Sequence, residues 1–131
     1  MDLSAAESEL RSSIPDLIAV YLFGSWARGD ANRESDVDIA ILARDPIASS
    51  LRFDLEQRLE EKLRQSVDLI DLRRASAVFR VQVLQDASLL LDADPTRRAE
   101  FECFALADYA RLNEERAGIL EDVRRTGRVH G

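Results

Sequence analysis

The stretch Leu17–Leu42 constrains this chain most, because two apolar, β-rich runs there bracket a cluster of polar residues. The first, "LIAVYLF" (Leu17–Phe23), ends at Gly24-Ser25; the second, "VDIAIL" (Val37–Leu42), is headed by Asp36 and carries Asp38. Short runs of this composition, bounded by Gly, Pro and Asp, predict buried strands. Alternation along the second puts Asp36, Asp38 and Ala40 on one face and turns Val37, Ile39 and Ile41 into the core. Carboxylates at the head of a buried strand are costly unless a cation offsets them. The pattern therefore asks for a metal ion.

The rest of the chain supplies the frame. Leu3, Ala6 and Leu10 recur at helical spacing and predict an opening helix, broken at Pro15-Asp16. A short helix or turn is expected from Trp26 to about Ala31. After Asp45-Pro46, the i+4 repeat of Leu51, Leu55, Leu59 and Leu63 predicts an amphipathic helix. "VDLIDL" (Val67–Leu72) reads as a third strand, Val78, Val81 and Leu84 as a helix, and "SLLLD" (Ser88–Asp92) as a fourth, short strand. Asp94-Pro95 then forms a cap with Pro at the first helical position. The helix it opens runs to about Arg125, with a stop at Gly127 and with Phe101, Ala105, Leu112, Ile119 and Val123 near one stripe. Phe104 and Leu106 fall on its other faces, which suggests a protein-binding or dimer surface. The order α-β-α-β-α-β-α-β-α predicts an α/β fold, a sheet with helices packed on it. With 131 residues, 46% of them hydrophobic, the chain is expected to form a single domain over 1–131.

Charge and composition narrow the class of function. A formal net charge of −7 disfavours direct, non-specific binding of nucleic acid, which calls for a basic face. The polar N-terminus has no signal-peptide core and no run is long enough to span a membrane, so a cytoplasmic protein is expected. The one cysteine, Cys103, excludes an internal disulfide and is expected to be a buried or half-buried structural thiol. His130, the one histidine, lies near the end of the sequence and carries no functional weight.

Chemistry concentrates at the strand heads. Gly24 lets the backbone come close to a ligand, and the free N–H groups of a helix start, with the Ser25 hydroxyl, seat phosphate oxygens. Asp36 and Asp38, roughly 6–7 Å of rise apart, can share a pair of divalent ions that bridge those oxygens. Magnesium fits, since it takes a few carboxylates plus substrate phosphates. A third carboxylate is expected from the neighbouring strand, as ligand or as base for the attacking hydroxyl. Asp68 and Asp71 are the candidates; three apart on a strand, they face opposite sides, and the pattern leaves the choice open.

Each residue also has a plainer reading. Asp36 and Asp38 can blunt a sheet edge, and Arg28 can pair with Asp30 or Glu34 instead of phosphate. Asp71 reads as solvated or supporting, Phe23 and Trp26 as packing or rim residues, and Arg73-Arg74 and Arg124-Arg125 as solvated helix ends.

Gly24-Ser25, ten residues, then Asp36-Val37-Asp38 resembles the GS-x10-D-x-D signature of the polymerase-beta-like nucleotidyltransferases. The fuller string, Gly24-Ser25-x-Ala27-Arg28-Gly29 with Ser35-Asp36-x-Asp38, resembles the minimal, single-domain branch. "SVDLIDL" resembles that branch's third-carboxylate strand, with Asp68 at the matching place, and "LLLDADPTRRAEFE…YARL" resembles the closing helix of MntA-type antitoxins. The resemblance implies a polymerase-beta-like fold, a small mixed sheet with a long C-terminal helix. It also implies transfer of AMP from ATP to a tyrosine of a HEPN-domain, HepT-like RNase toxin, with pyrophosphate released and the toxin silenced. Carried over, Gly24 and Ser25 hold the triphosphate with Arg28 as helper, Asp36 and Asp38 hold two Mg²⁺ ions, and Asp68 is the third ligand or base. The chain lacks the second, substrate-binding domain of antibiotic nucleotidyltransferases and the toxin's Arg-x4-His-x-Tyr signature, so it resembles the modifying half of such a pair. Two other readings stand beside this one. One is a non-catalytic antitoxin that acts by binding; the other is a small-molecule nucleotidyltransferase completed by a separate acceptor subunit.

Overall fold

The computed structural model describes residues 1–126, with side-chain surroundings through Ile119. Within them the order is α1 (Leu3–Ser13), β1 (Leu17–Phe23), α2 (Gly24–Arg28), β2 (Val37–Ala43), α3 (Ser49–Leu63), β3 (Val67–Asp71), α4 (Ala77–Asp86), β4 (Ser88–Asp92) and α5 (Pro95–Thr126). The expected alternation holds. The four strands form one mixed sheet in the order β3-β2-β1-β4. β2 and β3 are parallel, because α3 carries the chain back across the sheet between them, whereas β1 runs antiparallel to both β2 and β4.

Helices cover both faces. On one side Ala6 and Leu10 of α1 and Leu55, Leu59 and Leu63 of α3 pack on Val37, Ile39, Ile41, Val67 and Leu69. Leu59 is fully buried, so truncating it to Ala would cost about 2–5 kcal/mol. On the other side Val83 of α4 and Phe101 of α5 pack on Ile18, Tyr21, Ala40 and Leu42. The Ala40 face of β2, read from sequence as the one opposite the core, thus covers a second core, and only its leading end stays open. The Tyr21 hydroxyl donates to Glu102 at 2.8 Å, and Arg98 bridges Glu102 and Asp92 at 3.0 and 2.9 Å. These bonds fasten α5 to the sheet, and burial and Glu102 hold the Tyr21 phenol protonated well above its ordinary range.

Several local expectations shift. α2 begins at Gly24 instead of Trp26 and stops where Gly29 turns left-handed (φ 81°), its N–H reaching the Ser25 carbonyl. Asp94 caps α5 as read, accepting from the Arg97 N–H at 3.2 Å. Cys103 is exposed, not buried, because it lies off the Phe101–Ala105 stripe that faces the sheet. That stripe itself ends early. Leu112 is half-buried, Asn113 to Ile119 are exposed and Ile119 is 64% accessible, so α5 projects past the sheet that its first turns cover. Gly127 and His130, and the side chains of Val123, Arg124 and Arg125, lie outside the described residues.

Candidate active site

Parallel pairing sets Asp38 of β2 directly beside Asp68 of β3, and the antiparallel partner of Asp38 on the other side is Phe23, the residue before Gly24. The sheet therefore gathers Gly24, Asp38 and Asp68 at one end. Adjacent strands are about 4.8 Å apart, so the two carboxylates start from neighbouring backbone positions on the same face. Asp36, just before β2, adds its charge to both. The loop that presents it is tied down locally. The Ser35 hydroxyl accepts from the Asn32 N–H at 3.0 Å, Asn32 Oδ1 accepts from the Glu34 N–H at 2.8 Å, and Trp26 Nε1 donates to the Ser35 carbonyl at 3.2 Å. Trp26 is thus a packing residue that braces the loop carrying Asp36.

Gly24 is required twice over. Its φ is +71°, in the left-handed region. A Cβ there would also collide with the Asp38 carboxylate, standing 3.1 Å from its Cγ. The backbone at Gly24 and the Asp38 side chain consequently share a space that no other residue leaves free.

The cluster is short of positive charge. Asp38 is half-buried, and burial first, then Asp68 and Asp36, push its pKa above the usual carboxylate value, with Arg28 opposing. Asp68 is raised too, by burial and then by Glu56 and Asp36, against Arg52. Arg28 itself turns mainly to the side, 3.4 Å from Asp30 and 3.9 Å from Asp86. Among the described residues no three acidic, histidine or cysteine side chains form a ready ligand set for an ion. Carboxylates at paired register positions nevertheless suit magnesium, which completes its octahedron with phosphate oxygens and water. Adjacent like charges raised in pKa are what a bound divalent ion would relieve.

Asp71 separates from this group. It points to the opposite face, is 4% exposed, and accepts from the Ile47 N–H at 2.9 Å and the Arg73 N–H at 3.0 Å, with Arg74 Nε at 3.8 Å. The solvated or supporting role expected for it gives way to a structural one, and Asp68 is the carboxylate that joins Asp38. Arg73 is half-buried and donates to the Ala43 carbonyl, while Arg74 stays exposed as read and donates to that of Ile47.

Two parts of the site had no signal strong enough to be read. Arg52 and Glu56 of α3 support the start of β3: Glu56 accepts from the Leu69 N–H at 2.8 Å and pairs with Arg52 at 3.2 Å. Their i,i+4 spacing was visible, but it is common on solvated helix faces. On the far side of Gly24, Phe79, Gln82 and Asp86 of α4 line a cleft of about 370 Å³ with Phe23 and Arg28. Phe23 and Phe79 meet there edge to face, 6.2 Å between centroids.

Comparison with known proteins bears on the family and the fold. The "Polymerase beta, Nucleotidyltransferase" family matches residues 7–96. The protein adenylyltransferase MntA of Shewanella oneidensis is 40% identical over 117 residues, covering 87% of this chain and 81% of that protein. A chain in the crystal structure of a toxin-antitoxin with AMP-PNP superposes with a TM-score of 0.83 at 36% identity, covering 95% of this chain and 99% of its own. A chain of the tri-AMPylated Shewanella oneidensis HEPN toxin in complex with MNT antitoxin gives a TM-score of 0.75 at 35% identity, covering 92% and 94%.

Proposed function

Since this chain belongs to the polymerase-beta nucleotidyltransferase family, we propose that it is a metal-dependent protein adenylyltransferase. It transfers AMP from ATP to a tyrosine of a cognate HEPN-type RNase toxin and acts as that toxin's antitoxin in the cytoplasm. The observation that carries this reading is the register pair Asp38–Asp68 beside Gly24, an end of the sheet where carboxylates gather without matching cations. No helix among the described residues is long and apolar enough to cross a membrane, which agrees with a cytoplasmic partner.

In the reaction the tyrosine oxygen forms a bond to the α-phosphorus of ATP, the bond from that phosphorus to the bridging oxygen breaks, and pyrophosphate leaves. Gly24 and Ser25 receive the triphosphate, with main-chain N–H groups and a hydroxyl as donors. Arg28, at the end of α2, adds positive charge on the same side. Asp36, Asp38 and Asp68 would hold two Mg²⁺ ions, whose chemistry is to neutralise charge on the attacking and leaving oxygens. Asp68, on the neighbouring strand beside Asp38, is the third ligand or the acceptor of the phenolic proton.

The test is the intact mass of the cognate HEPN protein after incubation with this protein, ATP and Mg²⁺. Increments of whole AMP units that vanish with Asp36→Asn/Asp38→Asn are expected. Tight complex formation by both versions without any increment would overturn catalysis in favour of an antitoxin that works by binding alone.

A further inference from the structure

At the opposite end of β3 from the carboxylates, Arg73, Arg80 and Arg97 surround a cavity of about 290 Å³ floored by Phe101, with Glu100 and Phe104 at its sides. In a chain of net charge −7 this is a local reversal of sign. The guanidinium groups of Arg73 and Arg80 lie 5.0 and 5.2 Å from the centroid of the Phe101 ring. Each is also held from behind by main-chain acceptors, Arg73 Nε by the Ala43 carbonyl at 2.8 Å and Arg80 by those of Leu72 and Arg73 at 2.7 and 2.9 Å. Neither meets a carboxylate within ion-pair distance among the described residues. Their planes are thus fixed while part of each donor fork stays unused. Pre-oriented forks favour a planar acceptor such as a carboxylate.

The surroundings narrow the ligand. Glu100 disfavours a polyphosphate, which would bring several negative charges against it. Phe104, 70% exposed beside the cavity, supplies apolar surface next to the charge. Arginine and aromatic side chains in one exposed patch are the composition of an energetic centre in a protein interface. α4, which contributes Arg80 here, also contributes Phe79 and Gln82 to the cleft beside Gly24. A protein held at the arginine pocket therefore stands within one short helix of the adenylylation site.

We propose that this pocket is a second docking site for the protein substrate, taking an aspartate or glutamate that lies next to an apolar residue in an acidic segment of the toxin. The proposal rests on the adenylyltransferase reading for its partner, though not for its geometry. Arg73 and Arg80 also hold the main chain, so the test uses the surface pair Arg97 and Phe104. With Arg97→Glu/Phe104→Ala, the KM for the toxin should rise about tenfold or more, with kcat and the KM for ATP unchanged. Arg97→Glu alone should weaken the toxin more than Arg97→Gln, because it repels the carboxylate. An unchanged toxin KM, equal effects of Glu and Gln, or a rise in the ATP KM instead would each overturn the proposal. If wild type transfers no AMP, the adenylyltransferase reading fails separately, and the toxin Kd measured without nucleotide decides the docking site by the same variants. No complex at all would overturn both.

Discussion

Asp68 and Asp71 lie three residues apart on one strand and have opposite fates. At the leading end of β3, Asp68 pairs in register with Asp38, and partial burial, then Glu56 and Asp36, raise its pKa. At the trailing end, Asp71 is buried and accepts two main-chain N–H groups with an arginine close by. A carboxylate whose lone pairs the fold already fills is a structural bolt. One left crowded by its own kind and short of donors is a socket for something positive. The difference lies in what the rest of the fold brings to each side chain, and not in residue type.

Replacing the two aspartates proposed to hold the metal should produce the largest effect. Losing several kcal/mol of charge stabilisation at about 1.4 kcal/mol per decade means that Asp36→Asn/Asp38→Asn lowers AMP transfer roughly a thousandfold or more. Single-turnover AMP incorporation would measure it. Asp68→Ala should fall in the same class while leaving the protein folded; full activity in that variant would erase the distinction between the two ends of β3.

Asp71→Ala should do the reverse. Two hydrogen bonds to a buried carboxylate, at about 1.5–3 kcal/mol each, put its cost near 3–6 kcal/mol, read as a lower midpoint in urea. Activity per folded molecule should survive, and a variant that is stable but inactive would move Asp71 into the chemistry. Gly24→Ala comes next. It forces a left-handed conformation costing about 1–2 kcal/mol and displaces the Asp38 carboxylate, so AMP transfer should fall by more than thermal stability does.

The smallest effect is a dependence on pH in the metal-free protein. Asp38 and Asp68 have folded-state pKa values raised above their unfolded ones. The folded state then holds their protons more tightly, so they favour folding at acid pH and lose that contribution as pH rises through the raised values. Asp68→Asn should accordingly melt slightly higher than wild type at neutral pH, with the gap narrowing in acid. A gap that widens in acid would mean that Asp68 is stabilised as an anion. Magnesium with ATP should also close the gap, by stabilising wild type alone.

How far these roles could be read in advance follows from the range of the interactions. Strands and helices came from local alternation and spacing, and Gly24, Ser25, Asp36 and Asp38 form a motif within fifteen residues. The fate of Asp71 depends on the Ile47 N–H, 24 positions away. The exposure of the outer turns of α5 depends on where the sheet ends, which no periodicity within α5 records. Arg73 and Arg74 read as solvated charge because their acceptors are main-chain carbonyls, which carry no residue-specific signal.

The parallel pairing of β2 with β3 has a consequence in time. Gly24 and Asp38 can meet once β1 and β2 pair, but Asp68 joins them only after α3 has formed and carried β3 back alongside. Non-local parallel pairing of this kind comes slowly in folding. A chain emerging from the ribosome would therefore have the Gly24-Ser25 turn before it has a complete set of acidic groups. The chemistry would switch on with the last strand pairing on which the site depends, so that catalytic competence reports the assembly of β1, β2 and β3 together.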